Sequence, residues 1–183
     1  MKEKEIKSKI RTVIFLDIDG VLQPDRNRER FNNDLYKLRE ELAAQYKKDD
    51  YLKWDPWDLG AVYYDWDKKA VERLRRLCVD TPAEIVLSSD WRRYSPLPRL
   101  KDYFRIHDLD HYLTDVVPLV DGKRRCGEIE EYLEYNPEIE KFVIIDDYHY
   151  DDFGKRFPEQ FVYCEYLFTE ECYNKAVSIL TKK

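Results

Sequence analysis

The chain lacks the features that mark several large classes of protein. Its four cysteines are scattered without a Cys-x-x-Cys pair, so we expect free thiols in a reducing compartment and no zinc site. No apolar run approaches the length of a membrane span. The formal net charge of −6 at pH 7 gives no sign of a general nucleic-acid surface, although a local basic groove is compatible with it. The cysteines are Cys78, Cys126, Cys164 and Cys172.

Signals for export, repetition and disorder are also missing. The charged residues 1–9 lead directly into an apolar segment, which is unlike a signal peptide, and we therefore expect a cytoplasmic location. The sequence contains no internal repeat, linker or low-complexity tract. A content of 43% hydrophobic and 15% aromatic residues argues against disorder. With 183 residues, the chain is expected to form one domain over 1–183.

Apolar runs of strand length alternate with segments of helical spacing. Strands that alternate with helices predict an α/β fold with a mostly parallel sheet and helices on both of its faces. The terminal helix is expected to be capped by Thr169, and the helix that follows the first is expected to be capped by Asp67. The predicted strands are 12–16, 83–87, 113–117, 142–145 and 161–164, and the predicted helices lie at 34–48, 67–78, 127–135 and from 169 onwards.

The most informative segment is the run Val-Ile-Phe-Leu-Asp-Ile-Asp-Gly at residues 13–20. Four apolar residues suit a buried strand, Asp17 and Asp19 follow where it should end, and Gly20 permits a tight turn. Because ligands of open α/β sheets bind at the carboxyl ends of strands, two carboxylates there predict an oxygen site suited to Mg²⁺. The alternatives are an ordinary turn and an EF-hand loop, and the preceding strand disfavours the latter.

A second strand end reads Leu-Ser-Ser-Asp-Trp-Arg at residues 87–92. The hydroxyls of Ser88 and Ser89, with nearby backbone amides, can donate to phosphate oxygens. The common alternative for such residues is a helix cap. Arg92 is a candidate for contact with a substrate phosphate, and an ion pair at the surface explains it equally well.

A third strand end carries two adjacent acids, Asp146 and Asp147, after the run 142–145. Like charges side by side at a buried strand end repel unless a cation lies between them and other groups. The alternative is a loop that happens to be acidic, since Asp151 and Asp152 follow just downstream.

These strand ends, taken in chain order, resemble the motifs of the haloacid dehalogenase (HAD) superfamily. The run Ser-Ser-Asp-Trp-Arg is similar to the Ser-Ser-x-Trp-Arg signature of a small HAD group related to domains in RNA repair proteins. The resemblance spans nearly the whole chain and implies a Rossmannoid three-layer α/β/α sandwich. It implies that Asp17 is a nucleophile and Asp19 a general acid/base, and an Asp at the second position is typical of the family's phosphatases.

The resemblance also implies a Mg²⁺ shell and a phosphate site. Asp17, the backbone carbonyl of Asp19, and Asp146 or else Asp147 are the expected metal ligands. Ser88, with Ser89 as the near rival, is the expected hydroxyl donor to the phosphate.

A cation is also required by the resemblance, because a phosphorylated Asp among carboxylates is otherwise strongly repulsive. The segment Gly-Lys-Arg-Arg at 122–125 offers three basic residues. Lys123 is the first choice and Arg125 the second. The following residues, Cys-Gly-Glu-Ile, depart from the family's run and blur the register, and at least one of the three, Arg124 included, is expected to be solvated.

Residues 25–64 match no family pattern and follow the first strand, where HAD proteins insert a cap. The segment is short for a cap domain and predicts a small helical insert, irregular over 49–64. Its aromatic residues are expected to pack in the core or a lid, with stacking on a base as the alternative. These residues are Trp54, Trp57, Tyr63 and Tyr64.

The expected function is a Mg²⁺-dependent phosphomonoesterase that acts through an aspartyl phosphate on a small phosphorylated molecule. The alternatives are a phosphatase that processes nucleic-acid ends and a catalytically silent HAD-fold protein that binds a metal or partner. No membrane partner is expected. The fold does not identify the substrate, because HAD cores serve many substrates.

Overall fold

A computed structural model describes residues 10–26, 28–148 and 152–182 of the chain. Residues 1–9 and Asp151, from which expectations were drawn above, lie outside this part. The strands are β1 (Arg11–Leu16), β2 (Glu84–Leu87), β3 (Leu113–Val116), β4 (Ile139–Asp146) and β5 (Phe161–Tyr163). The helices are α1 (Leu35–Tyr46), α2 (Pro56–Gly60), α3 (Lys68–Asp80), α4 (Leu97–Arg105), α5 (Arg125–Tyr135), α6 (Phe153–Arg156) and α7 (Glu170–Thr181).

The strands form one parallel sheet in the order β3-β2-β1-β4-β5. Strand β1 lies at the centre, and its last residue, Leu16, pairs with Leu87 of β2 and Ile145 of β4. The residues that follow these three strand positions therefore lie at the same edge of the sheet. This register is what places the candidate site.

Successive residues of β1 point into two separate apolar clusters, as expected for a strand that is buried on both faces. Ile14 and Leu16 join a cluster with residues of α1, α3, α4 and α7. Val13 and Phe15 join a second cluster with residues of α5 and α6. The predicted α/β class, the parallel sheet and the three-layer arrangement are confirmed.

Two of the predicted helix caps are present in the structure. The side chain of Asp67 accepts a hydrogen bond from the Ala70 amide at 2.8 Å, and Thr169 accepts from the Cys172 amide at 3.3 Å. Each cap satisfies a backbone donor that the first helical turn leaves without an intrahelical partner.

Helix α4 has no counterpart among the predicted elements. Pro96 and Pro98 resemble chain breaks in the sequence, but the structure places them at the N-cap and in the first turn of α4. A proline costs little at those positions, because the amide that it lacks would have no helical partner there.

Most of the segment 25–64 is helical. The prediction of an irregular stretch at 49–64 is therefore wrong. That stretch contains a 3₁₀ turn at Asp49–Lys53, helix α2 and a π-helical turn at Ala61–Asp65. Apolar side chains of the segment share a cluster with Leu16 of the sheet. These side chains include Leu35, Leu38, Leu42, Tyr51 and Leu59.

A buried carboxylate fastens this segment to α4. Asp102 of α4 is fully buried and accepts hydrogen bonds from Lys48 Nζ at 2.6 Å and from the indole of Trp54 at 3.2 Å. The Tyr51 hydroxyl donates to the Asp102 carbonyl at 2.9 Å. Trp54 therefore has a packing role, whereas Trp57 and Tyr63 remain substantially exposed.

All four cysteines are buried, and none forms a disulfide bond with a described residue. None of the described helices combines the length and hydrophobicity that a membrane-spanning segment requires.

Candidate active site

The central strand ends bring Asp17, Ser88 and Asp146 to one edge of the sheet. The Asp17 amide donates to the Ile145 carbonyl at 3.0 Å, and the Ser88 amide donates to the Leu16 carbonyl at 2.9 Å. These bonds extend the ladder beyond the strands and fix the backbone from which the side chains project. All three side chains are buried.

Three carboxylates converge at this edge. Asp17, Asp146 and Asp147 each present one oxygen, and these oxygens all lie within 4.8 Å of one another. Burial, followed by the nearby charge of Asp17, raises the pKa of Asp146, and the same causes raise the pKa of Asp147 to about 6. Clustered carboxylate oxygens are the donors that Mg²⁺ and other hard divalent cations prefer, so the residues present fit such an ion.

The cation nearest to the cluster is Arg125, the first residue of α5. Its Nη1 lies 3.0 Å from Asp17 Oδ2 and 2.6 Å from Asp146 Oδ2, so one nitrogen bridges two carboxylates. Burial opposes the charge, but Asp146 and Asp17 outweigh it and raise the pKa of Arg125. The guanidinium is therefore permanently charged and partly balances the acids around it.

Lys123, the first choice from the sequence, is turned towards a different acid. Its Nζ contacts Glu131 Oε2 at 2.7 Å, although the side chain lines the same cavity as Asp17. Of these two basic side chains, Arg125 is therefore the one that contacts Asp17. The sequence could not rank them, because the start of α5 decides which residue faces the sheet edge.

Asp19 lies outside the carboxylate cluster. Its Oδ2 accepts a hydrogen bond from the Trp91 indole at 3.0 Å, and its Oδ1 accepts from the Gln23 amide at 2.9 Å. Partial burial raises the pKa of Asp19, with the charge of Asp17 adding to it and the Trp91 hydrogen bond opposing it. A raised pKa suits a carboxyl group that must give up a proton near neutral pH.

A cavity of about 560 Å³ opens onto these groups. Its lining combines the acids Asp17, Asp19 and Asp147 with the cations Arg93 and Lys123. A larger cavity of about 810 Å³ lies between the helical insert and α3, but none of the clustered acids lines it. Of these two cavities, the smaller is the one that Asp17 and Asp147 of the carboxylate cluster line.

Comparison with protein families agrees with this geometry. A family model described as "HAD domain in Swiss Army Knife RNA repair proteins" matches residues 13–170. The chain belongs to this HAD family. Membership supports a HAD-type hydrolase in general, and the matched range contains every candidate residue described above. Searches of the curated proteins and of the solved structures found no match.

The two serines of this HAD domain have different environments. Ser88 Oγ is buried and has no hydrogen-bond partner among the described residues. A buried hydroxyl without a partner costs about 1–3 kcal/mol, which a bound ligand or water would recover. Ser89 Oγ instead accepts from the Trp91 amide at 3.5 Å and acts as a weak cap.

Arg92 of the HAD domain is enclosed rather than offered to a ligand. Its side chain is 2% exposed, forms a salt bridge with Glu128 of α5, and donates to the Ser89 carbonyl at 2.9 Å. The other Glu128 oxygen accepts from the Val120 amide at 3.1 Å. This placement favours the ion-pair interpretation of Arg92, but the pair is buried and not at the surface. It joins the loop that contains Ser88 and Ser89, here called the serine loop, to the helix that carries Arg125.

Gly20 does more in the HAD domain than form the predicted turn. Its φ is +72°, and a Cβ built there would lie 2.1 Å from Asp147 Oδ2 and 2.8 Å from Asp147 Cβ. Rotation of the carboxylate alone could not relieve that overlap. The absence of a side chain at Gly20 is therefore what allows Asp147 to approach the cluster.

We predict that Gly20→Ala destabilises the domain and weakens its binding of divalent cations. Gly122→Ala is the matched control, because Gly122 also has a positive φ (+76°) but no described residue other than its chain neighbours comes within 4 Å of the added Cβ. The backbone conformation should cost each variant about 1–2 kcal/mol. Urea denaturation should show a larger loss for Gly20→Ala, and calorimetric Mg²⁺ titration should show weaker binding in that variant alone. Equal behaviour of the two variants would contradict the role assigned to Gly20.

We also predict that the metal-free domain loses stability as pH rises through about 6. Asp147 keeps its proton to a pKa of about 6 when folded but only to about 3.8 when unfolded, so the folded state binds more protons in that window. The stabilisation is complete below pH 3.8 and is lost as pH rises through 6. Chemical denaturation across this range should show the decline in the wild type and a shallower decline in Asp147→Asn. The exposed Asp108→Asn serves as control and should follow the wild type.

Proposed function

We propose that this HAD domain is a Mg²⁺-dependent phosphohydrolase that cleaves phosphate monoesters through an aspartyl phosphate. The observation that carries the proposal is the convergence of Asp17, Asp146 and Asp147, with Arg125 bridging two of them. Membership of a HAD family supports the same reaction class.

Asp17, Asp146 and Asp147 would hold Mg²⁺, and the proposal adds the backbone carbonyl of Asp19 as a further ligand. When bound, the ion supplies positive charge that offsets the carboxylates and the substrate phosphate, so that an anionic nucleophile can approach phosphorus. Arg125 and the Ser88 hydroxyl, which has no hydrogen-bond partner among the described residues, would bind the non-bridging phosphoryl oxygens.

The reaction proceeds in two steps. An oxygen of Asp17 bonds to phosphorus while the bond to the leaving oxygen breaks, and the Asp19 carboxyl gives its proton to that oxygen. The Asp19 carboxylate then takes a proton from water as that water attacks the phosphorus of the aspartyl phosphate. Inorganic phosphate leaves, and Asp17 and the protonated Asp19 are regenerated.

We predict that the wild type releases phosphate from p-nitrophenyl phosphate only when Mg²⁺ is present. Asp17→Asn should lower kcat at least about a thousandfold, because it removes the nucleophile itself. Asp108→Asn, which makes the same chemical change on the surface, should retain wild-type activity. Undiminished activity of Asp17→Asn would remove Asp17 from the nucleophile role. Mg²⁺ binding without turnover across a broad phosphate panel would favour the catalytically silent alternative.

A nucleic-acid end is a second candidate substrate. The family description names RNA repair proteins, and Arg93, Lys123 and Arg124 line the cavity beside the acids. A nucleic-acid strand that presents its terminal phosphate to Asp17 would place its neighbouring phosphodiesters next to these cations. This local basic lining supports the candidate even though the net charge of the chain is −6.

We predict that an oligonucleotide with a terminal phosphate has a higher kcat/KM than the corresponding mononucleotide. Oligonucleotides with a 5′- or 3′-phosphate should have at least about a tenfold higher kcat/KM than the corresponding mononucleotides, and this advantage should shrink as salt is raised. The same oligonucleotide without its terminal phosphate should inhibit competitively. Equal kcat/KM values and no inhibition would exclude strand contacts and leave small phosphate esters as the substrate class.

A further inference from the structure

We propose that Trp91 is the positioning residue for Asp19, and that the segment 25–64 supports Trp91 indirectly, through Tyr103. The inference deepens the proposed function and rests on it, because it concerns the group assigned there as general acid. Its basis is the set of contacts around the Asp19 carboxylate and the aromatic side chains that hold the indole.

Two donors hold the Asp19 carboxylate, one at each oxygen. The Trp91 indole contacts Oδ2 at 3.0 Å and the Gln23 amide contacts Oδ1 at 2.9 Å. Asp19 is only partly enclosed by the protein, so without these contacts its carboxylate could rotate. Contacts on both oxygens fix its plane, which a proton donor needs if it is to meet a leaving group in one orientation.

The chemistry of the indole also favours one oxygen of the acid as the carrier of its proton. An indole N–H can only donate, so Trp91 requires Oδ2 to remain an acceptor. The Trp91 contact therefore favours Oδ1 as the oxygen that carries the transferable proton of the neutral acid. The Gln23 side chain suits both states of Oδ1, since its amide can donate to the carboxylate and its carbonyl can accept from the acid.

Aromatic packing keeps the indole in place. The Trp91 ring packs edge to face against Tyr103 at 5.8 Å between centroids and against Trp66 at 6.2 Å. Its backbone lies in the 3₁₀ turn Asp90–Arg93, directly after the serine loop. These two ring contacts limit the rotamers that Trp91 can adopt.

The helical insert reaches this assembly through Tyr103. The Tyr103 hydroxyl donates to Asp58 Oδ2 of α2 at 3.3 Å, while its ring supports Trp91. The insert thereby contacts Tyr103, whose ring packs against Trp91, the proposed positioning residue for Asp19. This gives part of the segment 25–64 a role in orientation that does not require it to close over the substrate.

Leaving-group dependence tests the proposal. Protonation by a general acid matters for alkyl phosphates, whose leaving alkoxide is strongly basic, and matters little for p-nitrophenyl phosphate. Trp91→Phe removes the N–H and keeps a ring for packing. We expect its kcat/KM on an alkyl phosphate to fall about tenfold or more and its kcat/KM on p-nitrophenyl phosphate to stay within about twofold, because kcat/KM reports the phosphorylation of Asp17 and not the later attack of water that both substrates share. Asp19→Asn should show the same selectivity with a larger loss.

Trp54→Phe is the matched control, because the Trp54 indole also donates to a carboxylate, that of the buried Asp102. It should affect both substrates alike. Tyr103→Phe should show the selectivity of Trp91→Phe to a smaller degree. No change in Trp91→Phe, or an equal loss on both substrates, would overturn the positioning role.

A second measurement does not depend on activity. In a ¹⁵N-labelled sample, Asp19→Ala should shift the indole resonance of Trp91 and leave that of Trp54 in place. An unmoved Trp91 resonance would overturn the contact. A wild type that releases no phosphate from either ester would instead count against the proposed function, and the resonance would then decide the contact separately.

Discussion

The repulsion among the clustered carboxylates is the constraint on which the rest of the site depends. Asp17, Asp146 and Asp147 meet because the neighbouring strands β1 and β4 end at the same edge of the sheet, and their charges oppose that meeting. Burial makes the repulsion stronger, as the raised pKa values of Asp146 and Asp147 indicate. The Arg125 guanidinium offsets part of it, and a divalent cation would offset more.

Arg125 can play this part only if α5 begins at the correct place. The buried salt bridge between Arg92 and Glu128 connects that helix to the loop of Ser88 and Ser89. A buried ion pair is not by itself a source of stability, because both charges lose their water. Its role here is geometric. The pair holds Ser88 and Arg125, which are proposed to bind one phosphate, in a fixed relative position, although they come from separate parts of the chain.

The strand ends could be predicted because their pattern is local. A continuous apolar run followed by Asp or Ser marks both a buried parallel strand and the edge at which it stops, and the sheet confirms this for Leu16, Leu87 and Ile145. Helix α4 and the turns of the insert escaped prediction for the opposite reason. Their prolines and scattered aromatic residues do not form a local helical pattern. They adopt helical turns because of tertiary contacts, such as the one between Trp54 and the buried Asp102.

The sequence by itself determined the α/β class, the order of the chemical groups along the chain, and membership of a HAD-type family. Each of these depends on residue types and short spacings, which the chain carries whatever its conformation. Only the tertiary structure decided that Arg125 faces Asp17, that Arg92 is enclosed by Glu128, and that Trp91 reaches Asp19. Those pairings join residues 36 to 108 positions apart, so packing between elements sets them and no local pattern can.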